Sequence, residues 1–376
     1  AIYCGPAVGG QEWGPRSVYT GIGGSEEAVI NMAYEFRDLG WSVEVYGNPP
    51  IDQQGDFSGV QWLPYWAWRD EEGLDVFIGW RGPDMPKLAP LARSRYLWNH
   101  DKQFIAYSKE QLDRIDKMFV LSEYHRADPG LVSVPDDKIY VTSNGINENF
   151  LADGNEPDWF RCVYASNADR GLDLMLELWP RVREKVPEAE IDIYYGFTKW
   201  YDELSKSNLK MKELKRKVLS LVDQPGVNFH GMVGHDRLAE GFAKAAVWAY
   251  PTEFPEISCI TAMKALAMGC EAVTSGYGVL PETMEGERDF GPVDKKAFIT
   301  ESEERQQAFV DAIAERLLKA KDHPGIVNEL RASQSKRIRE KYPWKKVAQD
   351  WENLFSQKLS GKGRSQKTLQ MSSAGK

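Results

Sequence analysis

Cysteine is scarce in this sequence and scattered. Cys4, Cys162, Cys259 and Cys270 are the four present, and none forms a C-x-x-C pair. That spacing excludes a disulfide scaffold and a zinc ribbon, and it leads to the expectation of a reducing, cytoplasmic compartment. Long apolar runs are missing too. No uncharged stretch exceeds twelve residues, and one of these, Phe57 to Trp68, contains Pro64. A membrane helix needs about 20 apolar residues, so no integral membrane segment is expected. The opening Ala1-Ile2-Tyr3-Cys4-Gly5-Pro6 lacks a basic n-region and a secretory h-region, so no leader is expected in it. Nor is there an excess of positive charge, since 47 basic residues stand against 56 acidic ones. A chain that coats polyanions over its whole surface is usually basic, so broad nucleic-acid binding is disfavoured and only a local patch stays open.

What is present points to a globular protein. At 376 residues the length suggests two domains. Hydrophobic residues at 42% and charged residues at 27% suit a soluble chain with a large core. The 13 tryptophans admit two readings, core packing or stacking on sugar rings.

Along the chain, short apolar runs alternate with helical spacing. Val29, Met32, Ala33, Phe36 and Leu39 mark a helix that Gly40 stops. Strands are expected at 41–46, 75–78, 118–121 and 139–142. The polar, turn-rich segment 151–158 reads as a domain boundary. Beyond it the alternation resumes, with strands at 160–165, 191–195, 227–229, 247–250 and 271–274. Between two of these, Leu172, Met175, Leu176, Trp179 and Val182 mark a helix with a kink expected at Pro180. Short buried strands alternating with helices give an α/β fold with parallel sheets covered on both faces. Lys199 to Lys217 carries seven basic and three acidic residues, a solvated helix face or a contact for an anionic acceptor or a membrane surface. From Ser356 onward five basic and no acidic residues, mixed with Ser, Gly and Gln, suggest a disordered tail.

Two loops carry chemistry. The first is Thr20-Gly21-Ile22-Gly23-Gly24-Ser25-Glu26-Glu27, between a strand and a helix. Glycines there let backbone approach a ligand, and the following helix N-terminus favours phosphate. Its spacing is not the dinucleotide G-x-G-x-x-G, which argues against a nicotinamide enzyme. The second loop begins at Tyr250-Pro251-Thr252-Glu253-Phe254-Pro255-Glu256 and leads into a helix. In an open parallel sheet the C-terminal strand edge is where ligands bind. A carboxylate at that edge accepts hydrogen bonds from several hydroxyls at once.

With these residues in hand, the chain resembles the GT-B glycosyltransferases of family 4, the retaining nucleotide-sugar enzymes. The likeness runs to about residue 355. It rests on Gly23-Gly24-Ser25-Glu26, Trp98-Asn99-His100-Asp101, Val120-Leu121-Ser122-Glu123 and Ser143-Asn144-Gly145-Ile146-Asn147. Asp169-Arg170-Gly171-Leu172-Asp173, the Glu253 loop, Gly278-Val279-Leu280-Pro281-Glu282 and the Trp344 helix complete it. The resemblance implies two Rossmann-like domains facing a central cleft. They would be an acceptor-side domain at 1–150 and a donor-nucleotide domain at 151–340. A C-terminal helix at 341–358 would cross back to the first domain, and a tail would occupy 359–376.

It further implies roles for particular residues. Arg170 would neutralise the donor diphosphate, helped by the Gly23-Gly24 loop and the amides of Gly278, Val279 and Leu280. Glu253 would hold donor-sugar hydroxyls as the first Glu of the family's E-x7-E motif. His100 would contact the reacting sugar or acceptor. Ser166 and Asn167 would lie on the donor wall. The second Glu of E-x7-E is replaced by Thr261, for which Glu256 is the candidate substitute. The family's additional Arg is Ala165 here, leaving Lys264 or backbone amides to assist Arg170. Glu282 has two readings, a ribose contact or a helix cap. His230 and His235 likewise either line the base pocket or end a strand.

The expected reaction is transfer of a sugar from a UDP- or GDP-sugar to a glycan, lipid-linked, protein or modified-DNA acceptor, with peripheral membrane contact left open. No D-x-D triplet occurs, so no metal is expected, and no cofactor besides the donor substrate. In a retaining reaction the leaving phosphate itself can take the acceptor proton on the same face. An inverting transferase, an epimerase, or a degenerate module that only binds a sugar nucleotide or scaffolds a partner are the competing readings.

Overall fold

The computed structural model describes residues 1–6, 11–70, 73–151, 156–284 and 298–373, with backbone alone at 199–200 and 361–373. The chain divides into two units. One holds Ala1–Pro15, Ser25–Asn144 and Trp344–Lys376, and the other holds Arg16–Gly24 and Gly145–Pro343. The sequence had suggested a change of domain at 150/151.

Among the described residues the first unit is built on an eight-stranded sheet. Its strands are β1 (Ile2–Tyr3), β2 (Val43–Gly47), β3 (Gly55–Phe57), β4 (Val60–Pro64), β5 (Val76–Trp80), β6 (Ser94–Trp98), β7 (Lys117–Val120) and β8 (Ile139–Val141). Their order is β3-β4-β2-β1-β5-β6-β7-β8, and only the β3–β4 pair is antiparallel. All five residues of β5, Val76-Phe77-Ile78-Gly79-Trp80, are buried, as a central parallel strand covered on both faces requires. The order reverses between β1 and β5, so the C-terminal ends of these two strands frame a switch point.

The helix Gly24–Asp38 buries Val29, Met32, Ala33 and Phe36, the spacing visible in the sequence. It ends in a left-handed Gly40 at φ +92, with the Trp41 amide donating back to the Phe36 carbonyl. The long helix Trp344–Ser373 belongs to this unit as well. It packs through Trp351, whose ring stacks on Phe119 of β7 at 3.8 Å and whose Nε1 donates to Thr142 Oγ1 at 2.9 Å. Its backbone stays helical to Ser373, through the segment whose composition suggested a disordered tail.

The second unit contains a five-stranded parallel sheet. Its strands are β9 (Asp158–Asn167), β10 (Glu190–Gly196), β11 (Val227–Gly231), β12 (Ala245–Tyr250) and β13 (Glu271–Thr274), in the order β11-β10-β9-β12-β13. Every residue of β12 is buried. Pro180 sits inside the helix Leu172–Lys185, which buries Leu172, Met175, Leu176, Trp179 and Val182 against the sheet. Here the switch point falls between β9 and β12. The segments leaving those strands, 168–171 and 251–259, therefore meet where an open α/β sheet binds its ligand. All four cysteines are free and buried. No helix of the described residues is long and apolar enough to cross a membrane.

Candidate functional site

Arg170 follows β9 by three residues and stands before the helix Leu172–Lys185. Gly171, at φ +87, makes the turn between them. A Cβ at Gly171 would lie 2.6 Å from the Pro251 carbonyl oxygen, so only glycine lets the β9 and β12 loops come this close. The guanidinium is held on three sides. Asp169 Oδ2 is 2.7 Å from Nη1, Glu256 Oε1 is 3.4 Å from Nε, and the Phe254 ring centroid is 3.4 Å from Cζ. The fork is therefore oriented before any ligand arrives.

Glu256 is the second centre. The Tyr250 hydroxyl, at the end of β12, donates to Glu256 Oε1 at 2.8 Å and lies 3.2 Å from Ser166 Oγ on β9. Burial raises the Glu256 carboxyl above its ordinary range, while Arg170 and the Tyr250 hydrogen bond pull it back. Burial also pushes the Tyr250 phenol far up, so it stays a neutral donor. Asn167, the last residue of β9, has a buried carboxamide oxygen with no hydrogen-bond partner among the described residues. The switch point thus presents one cation, one partly buried carboxylate, a hydroxyl pair and an unfilled acceptor within a few residues.

The remaining expected donor residues lie as follows. Glu253 accepts from the Thr300 amide at 3.0 Å and the Thr300 hydroxyl at 2.6 Å, on the exposed side of the loop, and not from the Arg170 cluster. Thr261 donates its hydroxyl to the Ala165 carbonyl at 3.0 Å and so ties the helix Ile260–Ala267 to β9. Gly278, at φ +69, brings its loop against Glu256, and the Val279 amide donates to the Glu256 carbonyl at 2.8 Å. That amide is accordingly committed to the protein. Leu280 opens the short helix Leu280–Thr283, with Glu282 inside its first turn. Gly23 precedes, and Gly24 begins, the helix Gly24–Asp38. Lys264 is buried beneath the Phe150 ring, its Nζ 4.8 Å from the centroid. His235 is buried with Nδ1 2.8 Å from Asn147 Nδ2, and His230 pairs with Asp192.

In the first unit His100 stands just beyond β6. Its ring lies between Trp80 and Trp98, with centroids at 5.9 and 4.6 Å, and Nε2 has no hydrogen-bond partner among the described residues. Burial, assisted by the charge of Arg81, pushes its pKa well below the ordinary histidine range, so the ring is neutral. Arg81 was not foreseen. It follows β5 in a left-handed conformation at φ +66, a state a non-glycine residue keeps only under constraint. Asp101 supplies the constraint, accepting from Arg81 Nε at 2.7 Å and from Nη2. Glu26 Oε1 is 3.7 Å from Arg81 Nη1, and Ser25 Oγ is 3.4 Å from it.

His125 holds this arrangement from behind. Its Nδ1 accepts from the Leu121 amide at 3.1 Å, which leaves the proton on Nε2 to donate to the Asp101 carbonyl at 3.2 Å. Arg81 and His125 left one signal in the sequence. Each lies within a few residues of the C-terminal end of a strand in a parallel sheet.

The family description "Glycosyl transferases group 1" fits residues 160–319. No curated protein matches the sequence. Among solved structures, sucrose-phosphate synthase from Thermosynechococcus elongatus is similar at a TM-score of 0.70 and 13% identity, over 96% of this chain and 99% of that one. A structure of HepE from Anabaena, in complex with UDP and glucose, gives 0.65 at 12% identity, over 94% and 98%. A glycosyltransferase from Rickettsia africae gives 0.65 at 11% identity, over 95% and 98%. At these identities the likeness carries the fold, two parallel-sheet domains of the GT-B kind.

Proposed function

We propose that this chain, a GT-B glycosyltransferase of the group 1 kind, moves a hexose from a UDP- or GDP-sugar to a hydroxyl acceptor with retention and without a metal. The observation that carries this reading is the Arg170–Glu256 pair at the β9/β12 switch point. Breaking the anomeric C–O bond leaves a diphosphate anion and a sugar with oxocarbenium character. Arg170, fixed by Asp169 and the Phe254 ring, offers preorganised positive charge to that leaving group. The Glu256 carboxylate, fixed by Tyr250, accepts hydroxyl protons of the donor. The Asn167 carboxamide oxygen takes another. A leaving phosphate oxygen then receives the acceptor proton, so the reaction calls for no separate enzymic base.

The acceptor is read from the first unit taken by itself. Glu26 and Asp101 set two carboxylates against the single guanidinium of Arg81, and His100 is neutral. One negative charge is left over, which favours an uncharged hydroxyl acceptor such as a glycan over phosphate-rich DNA. The test is a donor screen over UDP- and GDP-hexoses, read by mass spectrometry, with product anomers assigned by NMR. Arg170→Ala should lower turnover by about 100-fold or more. Nucleotide binding without turnover in the wild-type chain would instead make it a sugar-nucleotide-binding module.

A further inference from the structure

A cavity of about 350 Å³ lies on the second unit, and its lining shares no residue with the Arg170–Glu256 site. It is bounded by the face of β9, β10 and β11 and by the helix His235–Lys244. Its volume falls in the range of small-ligand pockets.

The floor is a built polar network. Asp192, in mid-β10, is 5% exposed. Arg161 Nη1 donates to its Oδ2 at 3.0 Å, and His230 Nε2 lies 2.9 Å from its Oδ1. Both carboxylate oxygens are thus engaged, and a buried charge requires that. The His230 ring is stacked on Tyr194 with centroids 4.6 Å apart and planes at 13°. Some 38% of the His230 side chain stays exposed.

The helix makes room for this stack. A Cβ at Gly241 would stand 2.5 Å from the Tyr194 hydroxyl oxygen and 2.5 Å from a ring carbon. Glycine weakens a helix interior relative to alanine. Here it admits an aromatic ring that lines the cavity.

The charges decide what fits. Arg161, Arg237 and Lys244 line the cavity together with Asp158, Asp192 and Glu240, three positive with three negative, Arg161 paired with both aspartates and Arg237 with Glu240. Balanced walls give no attraction for phosphate or for a cation. They offer donors and acceptors side by side, next to an aromatic stack. A neutral polyhydroxylated ring matches that pattern, with hydroxyls on the charged groups and C–H faces on the aromatic rings.

We infer that this cavity is a second saccharide site that holds a neutral sugar residue of a glycan apart from the point of transfer. The inference rests on the sugar-transferring reading only for the source of that saccharide. A second hold on one glycan chain raises its effective concentration at the transfer site.

Saturation-transfer NMR on the full chain, with UDP or GDP in excess, tests it. The probes are maltotriose, cellotriose and chitotriose, with glucose and glucose 6-phosphate beside them. At least one neutral trisaccharide should bind in the presence of the nucleotide. His230→Gln keeps a partner for Asp192 but removes the ring, and should weaken that binding about tenfold. Tyr194→Phe keeps the stack and should retain it. Donor hydrolysis by the Tyr194→Phe chain should equal that of the wild type.

Absence of trisaccharide binding, equal binding in His230→Gln, displacement by the nucleotide, or preference for glucose 6-phosphate each overturns the inference. Sugar transfer without saccharide binding at this cavity sinks the inference alone. Saccharide binding here without any transfer sinks the catalytic reading alone.

Discussion

Arg170 and Glu256 illustrate how much a motif says and where it stops. The loop after β12 was legible in the sequence as acidic and followed by a helix. Its frame was not. The family spacing fits Glu253 with Thr261, and it fits Glu256 with Lys264 equally well, because both pairs are eight residues apart. Only the fold separates them. Glu256 lies against Arg170 and Tyr250, whereas Glu253 is held by Thr300. Glu256→Gln should therefore lower kcat/KM for donor turnover by about 100-fold, and Glu253→Gln by less than about tenfold. Steady-state rates on both variants check this, and the reverse order would return the donor-sugar contact to Glu253.

His125 gives a second prediction at this scale. Burial pushes its pKa down to about 4, against an ordinary 6.5. The unfolded chain then binds a proton that the folded chain refuses between those two values. Stability consequently falls as pH drops through that window, by at most about 3 kcal/mol from this group. His100 is shifted in the same direction. Urea midpoints measured from pH 7 to pH 4 should decline less steeply in His125→Gln than in the wild type. Parallel curves would mean that His125 titrates normally in the fold.

The strands that were readable are those with continuous apolar runs, such as β5, β7 and β12. β4 and β6 were not foreseen. Val60-Gln61-Trp62-Leu63-Pro64 breaks its apolar run with a glutamine and ends in proline, and Ser94-Arg95-Tyr96-Leu97-Trp98 opens on two polar residues. The antiparallel β3–β4 pair lies at the sheet edge, where one partner and partial burial suffice. Loops between elements depend on backbone that no hydrophobic pattern reports. Gly278 shows this best. It was read as an amide donor for phosphate, but its positive φ and missing side chain are what the fold uses. A Cβ there would stand 2.7 Å from the Glu256 carbonyl oxygen and 2.8 Å from its amide nitrogen. Gly278→Ala should destabilise the second unit by about 1–3 kcal/mol and displace Glu256. Thermal unfolding together with donor turnover checks both effects. Unchanged turnover in a destabilised chain would separate the loop from the chemistry.

At the scale of the whole molecule, the chain leaves the first unit at Asn144 and returns to it at Trp344. The returning helix was legible from Trp344, Val347, Trp351 and Leu354 at helical spacing. Which surface it would cover was known only through the family resemblance. Trp351 is the anchor, fully buried, stacked on Phe119 and crossing Trp98 at 4.9 Å. Trp351→Ala removes those contacts and should cost the first unit about 3–5 kcal/mol. The proposed nucleotide site lies in the second unit, so a nucleoside diphosphate bound there would stabilise that unit by mass action, about 2.7 kcal/mol at a hundredfold excess over Kd. Differential scanning calorimetry of Trp351→Ala should accordingly resolve two transitions. The lower one should come from the first unit and ignore UDP or GDP, and the upper one should rise with the nucleotide. A single transition that moves with the nucleotide in the variant would show that the second unit draws its stability from the first, and the nucleotide would then report on the chain as one folding unit.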